Sequence, residues 1–135
     1  MDFSDTIGIS ASGMQAQADR LRVVSENLAN QETTGTTAGS DPYRRKTITF
    51  KETLNHETGA SSVQVKTIGQ DQTPFETRYE PGHPAADAKG YVKVPNVNMM
   101  VEVMDSHEAQ HSYEANLNTM QITRSMLTRT INLMK

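Results

Sequence analysis

Apolar positions at both ends of the chain recur in alternating steps of four and three. Near the start the row is Ile7, Ala11, Met14, Ala18, Leu21, Ser25 and Leu28. Near the end it is Tyr113, Leu117, Met120, Arg124, Leu127, Ile131 and Met134. This spacing keeps one stripe of a helix turned toward a partner and suits helices wound as a coiled coil. Ser4 or Asp5 is placed to cap the first helix. That helix should end near Asn30, after about 40 Å at roughly 1.5 Å per residue. The last helix should run from about Asn96 to Met134. It carries a second apolar row, Ala115, Ile122, Met126 and Leu133, almost opposite the first. A helix with two apolar faces needs partners on two sides. The N-terminal helix can cover one face, and the chain has no third long helix for the other, so neighbouring chains are expected there. The expected assembly interface is Ile7, Ala11, Met14, Ala18, Leu21 and Leu28, with Tyr113, Leu117, Met120, Ile122, Met126, Leu127, Ile131 and Met134.

The middle of the chain has a different pattern. Gln31 to Asp41 is rich in Thr, Gly and Ser, which is the composition of a mobile loop. Thr47–Phe50, Val63–Val65 and Phe75–Tyr79 alternate as short strands, with a hairpin tip at Asn55–Ser62. Pro81 and Pro84 forbid helix and interior strand, and Gly90–Pro95 is one more extended piece. The expected fold is α+β. Long terminal helices, residues 1–30 and 97–135, pair as one coiled-coil layer, and residues 31–96 form a small strand- and turn-rich segment.

Composition narrows the function. The 135 residues fit one domain, and only 35% are hydrophobic and 5% aromatic, a thin supply for a core. A net charge of -3 without a basic stripe argues against nucleic-acid binding. The one basic run, Arg44-Arg45-Lys46, suits a solvated strand edge or an interface contact. There is no cysteine, which removes disulfides and thiol chemistry. No run approaches a membrane span, and the acidic start Met1-Asp2-Phe3-Ser4-Asp5 is unlike a cleaved leader.

His107-Glu108-Ala109-Gln110-His111 spells H-E-x-x-H on a predicted helix. In zinc peptidases this spacing sets two imidazoles one turn apart, with the Glu as general base. A catalytic zinc also needs a third protein ligand, and here the extended pattern H-E-x-x-H-x-x-G-x-x-H fails, with Glu114 in place of its Gly and Leu117 in place of its third His. No catalytic, cofactor or metal site is assigned. A minimal zinc peptidase is kept as an alternative, beside a generic secreted coiled-coil structural protein.

Ser25, Asn27, Leu28, Ala29, Asn30, Thr33 and Gly35 match the pattern S-x-N-L-A-N-x-x-T-x-G. Here the chain resembles flagellar axial proteins, the superfamily of rod, hook and hook-associated proteins. Asn30 would tolerate the left-handed turn of a helix exit. Residues 79–98, YEPGHPAADAKGYVKVPNVN, include Tyr79, Pro81, Gly90, Tyr91, Pro95 and Asn96 and are similar to the proximal-rod family within that superfamily. Tyr43-Arg44-Arg45-Lys46, Glu108-Ala109 and Ser112-Tyr113-Glu114-Ala115-Asn116 fit the same family. Its pattern commonly has Arg where His111 stands, which makes the H-E-x-x-H a substitution within a structural helix. The resemblance implies a non-enzymatic bacterial structural subunit that transmits torque, without a cofactor. It implies export through the flagellar type III apparatus without a cleaved leader, and assembly in the periplasmic rod of the basal body. The partners it implies are other copies and rod proteins of the FlgB, FlgF and FliE types.

Overall fold

A computed structural model describes residues 3–134; Met1 and Asp2 of the acidic start, and Lys135, lie outside the described residues. The element order is α1 (Phe3–Ala29), β1 (Lys46–Leu54), β2 (Ser61–Gln70), β3 (Glu76–Tyr79), β4 (Tyr91–Val94) and α2 (Met99–Leu133). Long terminal helices around a small set of antiparallel strands make the fold α+β, as the periodicities predict. Ser4 and Asp5 lie inside α1 rather than capping it. At the other end, Asn98 caps α2: its Oδ1 accepts from the Met100 and Val101 amides at 3.0 and 3.4 Å. The helix therefore starts a little after Asn96. β1 and β2 form a two-stranded sheet closed at the tip by Asn55 N–H donating to Ala60 C=O at 2.8 Å.

The chain divides into two compact units. The first takes in the described residues up to Leu21, Ile48–Thr67, and the residues from Ser106 onward. Here α1 and α2 run antiparallel: Gly13 lies against Asn116, while Arg20 reaches Glu108 at 3.1 Å. A Cβ on Gly13 would stand 2.8 Å from Asn116 Nδ2, so the missing side chain is what lets the helices approach. The buried positions are small or polar: Ser10, Ala16, Ala109 and Thr123. Ser12 Oγ donates to Ile9 C=O at 2.8 Å and accepts from Val63 N–H at 3.2 Å, fixing β2 to α1.

The second unit consists of Arg22–Thr47 and Ile68–Asp105. Val23, Val24, Ala85 and Val92 form its apolar core. β3 and β4 pair antiparallel with Tyr79 opposite Tyr91, and the two rings meet edge-on at 5.3 Å. Gly90 enters that pair at φ +85°, and a Cβ there would sit 3.0 Å from the Tyr79 ring. Both facts demand glycine. The loop expected to be mobile is tethered: Gly39 N–H donates to Ala85 C=O, Tyr43 N–H to Thr33 C=O, and Thr34 Oγ1 lies 3.2 Å from His83 Nε2.

Candidate assembly interface

Within the first unit α2 has one face toward α1 and another open. Ala109, Asn116 and Thr123 repeat every seven residues on the covered side, and Tyr113, Leu117, Met120 and Leu127 are half-buried. Ala115, Ile122, Met126 and Leu133 are all exposed, with Ile122 at 57%, Met126 at 54% and Leu133 at 88%. Ile131 and Met134 are exposed as well. On the first helix Ile7, Met14, Leu21 and Leu28 are half-buried, while Ala11, Ala18 and Ser25 are exposed. A large apolar side chain left in water forgoes about 1.5–3 kcal/mol that burial would return.

The second unit is centred on a polar knot that periodicity does not reveal. Asn27 is 1% exposed and satisfies its whole amide. Its Oδ1 accepts from Lys46 N–H and Tyr43 Oη–H, both at 2.8 Å. Its Nδ2 donates to Lys46 C=O at 2.9 Å and to Glu102 Oε2 at 3.1 Å. Glu102 is fully buried, and its other oxygen accepts from Arg45 Nε. Arg45 also faces Asp71 at 3.6 Å and Asp105 at 3.7 Å. Burial works against the Arg45 charge, but these carboxylates outweigh it and raise its pKa above the ordinary value. Arg45 is therefore no solvated strand edge. A buried carboxylate facing its strand requires a cation, and Arg45 meets it.

The rest of the basic run is used as well. The Arg44 guanidinium lies 4.2 Å from the Phe75 ring centroid and donates to Asp71 C=O at 2.9 Å. Lys46 Nζ donates to Glu26 at 2.6 Å, and this bond holds the Glu26 carboxyl below its ordinary pKa. Asn96 accepts from Arg45 N–H at 2.8 Å and donates to Asp71 and Thr73 C=O, both at 3.1 Å. Buried Pro95 precedes it, and Pro81 packs beside Gly90.

These contacts explain much of the helix-exit pattern. Asn27 joins the end of α1 to β1 and to the start of α2. Asn30 does not take a left-handed turn, since no described residue except glycine has positive φ. Its side chain instead bonds back to Glu26 C=O at 2.8 Å and accepts from Thr33 Oγ1 at 3.1 Å, closing the helix without glycine. Gly35 leaves room for Ser40, whose Oγ would be 1.9 Å from an added Cβ. Ser25 and Ala29 are exposed, and Leu28 is half-buried.

The H-E-x-x-H segment lies on α2 with His107 and His111 exposed. The Glu108 carboxylate is ion-paired with Arg20 rather than poised as a base. Among the described residues no three His, Cys, Asp or Glu side chains gather as a metal cluster, and no helix is long and apolar enough to cross a membrane.

The residues of both terminal helices match families of known proteins. The family described as "Flagella basal body rod protein" matches residues 7–36, and the one described as "Flagellar basal body rod FlgEFG protein C-terminal" matches residues 88–133. The class is thus that of flagellar basal-body rod proteins. Within it, the chain is 50% identical to the flagellar basal-body rod protein FlgC of Agrobacterium fabrum, over 94% of this chain and 91% of that protein. It is 38% identical to FlgC of Escherichia coli O157:H7 over 98% of each chain, and 36% identical to FlgC of Bacillus subtilis over 96% of this chain and 97% of that one. The chain belongs to the FlgC family.

Proposed function

We propose that the chain is a structural subunit of the flagellar basal-body rod, that it assembles through its terminal helices, and that it transmits torque. The observation that carries this reading is the open apolar face of α2, Ile122, Met126 and Leu133, on a helix whose opposite side is already paired within the chain. Neighbours that bury this face each gain several kcal/mol, on the order of 1.5–3 per large side chain. Torsion is resisted because many such contacts must slip together. In this reading residues 1–30 and 97–135 form one helical layer, and residues 31–96 lie outside it. The neighbours are other copies and rod proteins of the FlgB, FlgF and FliE types. The rod lies in the periplasm, and the chain reaches it through the flagellar type III apparatus. The reading is of a non-enzyme, supported by the relatives, which are rod proteins by name, and by the engagement of Glu108 with Arg20.

The test is Ile122→Glu combined with Met126→Glu. Both sites are exposed, so the purified variant should unfold within about 0.5 kcal/mol of the parent. Cells carrying it should be non-motile, with basal bodies lacking a complete rod. Normal motility would overturn the assignment of this face to assembly.

A further inference from the structure

We propose that His107 and His111 form a two-imidazole chelate for a divalent transition-metal ion on the exposed side of α2. The rings stand one turn apart on one helix, at the spacing that brings side chains i and i+4 together. Both are exposed. Among the described residues, neither has a hydrogen bond or ion pair, so their ring nitrogens are open to an ion. Glu108, between them in sequence, is held by Arg20. The other two histidines lack this arrangement. His83 uses Nδ1 to accept from Ala85 N–H at 3.0 Å and has Nε2 against Thr34, while His56 lies exposed at the β-hairpin tip.

The donor set selects the ion. Neutral imidazole suits copper(II), nickel(II) and zinc, and copper(II) leads for such nitrogen sites. Among the described residues no third protein ligand is gathered there, so water would complete the coordination shell. Two protein ligands with a Glu occupied elsewhere make a binding site, not a peptidase centre. The chelate exists only while α2 is helical at this turn, so the ion and the helix stabilise one another.

The experiment titrates the purified, untagged full chain with copper(II), nickel(II) and zinc salts, each alone, by calorimetry at pH 7.5. His107→Gln, His111→Gln and His56→Gln are compared. Wild type should bind one equivalent, copper most tightly. Loss of an outer-shell partner alone weakens a metal site by roughly 10–100-fold, so losing either ring of the pair should cost about tenfold at least. His56→Gln should bind as wild type. The bound ion should raise the unfolding midpoint of wild type but not of His107→Gln, while all apo variants unfold alike. Absence of metal binding in wild type would overturn the proposal. So would retained affinity in either paired variant, or an equal loss in His56→Gln.

Discussion

Replacing Asn27 by Ala strips four hydrogen bonds from one buried point. Three involve neutral partners and are each worth about 1 kcal/mol net, while the fourth, to the Glu102 carboxylate, is worth about 2 kcal/mol. Simple addition gives about 5 kcal/mol as an upper figure. Tyr43 and Lys46 are only half-buried, so their freed groups regain water. Glu102 is fully buried and keeps Arg45, but one of its oxygens loses its partner. The expected loss is therefore about 3 kcal/mol. The assay is urea unfolding of the purified chain, read as a lower midpoint at unchanged slope. Ser25→Ala is the control: it belongs to the same sequence pattern but is exposed, and should stay within about 0.5 kcal/mol of the parent. Asn27→Asp keeps the shape but turns the donor toward Glu102 and Lys46 C=O into an acceptor, so it should destabilise at least as much at neutral pH. A loss under about 1 kcal/mol for Asn27→Ala, or an aspartate milder than the alanine, would refute the knot as the element that fixes the helix exit.

Acid should weaken the fold through four carboxyls held below their ordinary pKa values. Hydrogen bonds are the leading cause in each: from Lys46 to Glu26, Lys93 to Asp41, Thr73 to Asp71, and the Tyr91 amide to Asp87. The unfolded chain then binds protons more readily than the folded one. Their contribution is complete above the ordinary carboxylate range and is lost as pH falls through the lowered values. The urea midpoint should hold from about pH 7 to 5 and fall below about pH 4, and a midpoint that rises on acidification would contradict this. Gly13→Val should destabilise by about 1–3 kcal/mol, because its side chain enters the space of Asn116. Asn116→Ala in the same chain should recover part of the loss, and a thermal unfolding series over the four combinations measures the coupling.

The two helices were legible because a long apolar period survives almost any local composition. The strands were legible in place but short: Thr47–Phe50 and Val63–Val65 lie in the first halves of nine- and ten-residue strands. Beyond them the strands run on through mostly polar residues, Lys51-Glu52-Thr53 and Lys66-Thr67, that alternation does not mark. The positions that hold the helices were harder to see. An apolar period points to Ile7, Met14 and Leu21, yet the buried positions of the first unit are Ser10, Ala16, Ala109 and Thr123, and in the second unit Asn27 and Glu102 are buried beside the valines of its core. Small and polar residues carry no hydrophobic signal, so a seam built from them is silent in the pattern. Glu102 and Arg45 are widely separated in the chain, and only the fold makes them neighbours. The one clue was positional: Glu102 begins the seven-residue spacing continued by Ala109, Asn116 and Thr123.

That division of residues bears on how such a subunit works. Alanine, serine and threonine bury little apolar surface, so at about 25 cal/mol per Å² the seam in the first unit contributes modest hydrophobic energy. The larger side chains Ile122, Met126 and Leu133 are held outside it. Specificity within the chain must therefore come from geometry and polar matching. Gly13 admits Asn116 at one position of the helix pair. In the other unit, a slip at the end of α1 would break the bonds to the Lys46 amide and the Tyr43 hydroxyl and leave a buried Glu102 oxygen unsatisfied. An unsatisfied buried group costs about 1–3 kcal/mol, against about 1 kcal/mol net for a typical hydrogen bond made, so a wrong register is penalised more steeply than the right one is rewarded. A chain organised in this way selects its own pairing by excluding alternatives and leaves its larger apolar side chains on α2 uncovered, which under the proposed assembly is where neighbours would dock. Its stiffness should then rise with the number of copies around it. The same chain studied alone should be less stable than its length suggests.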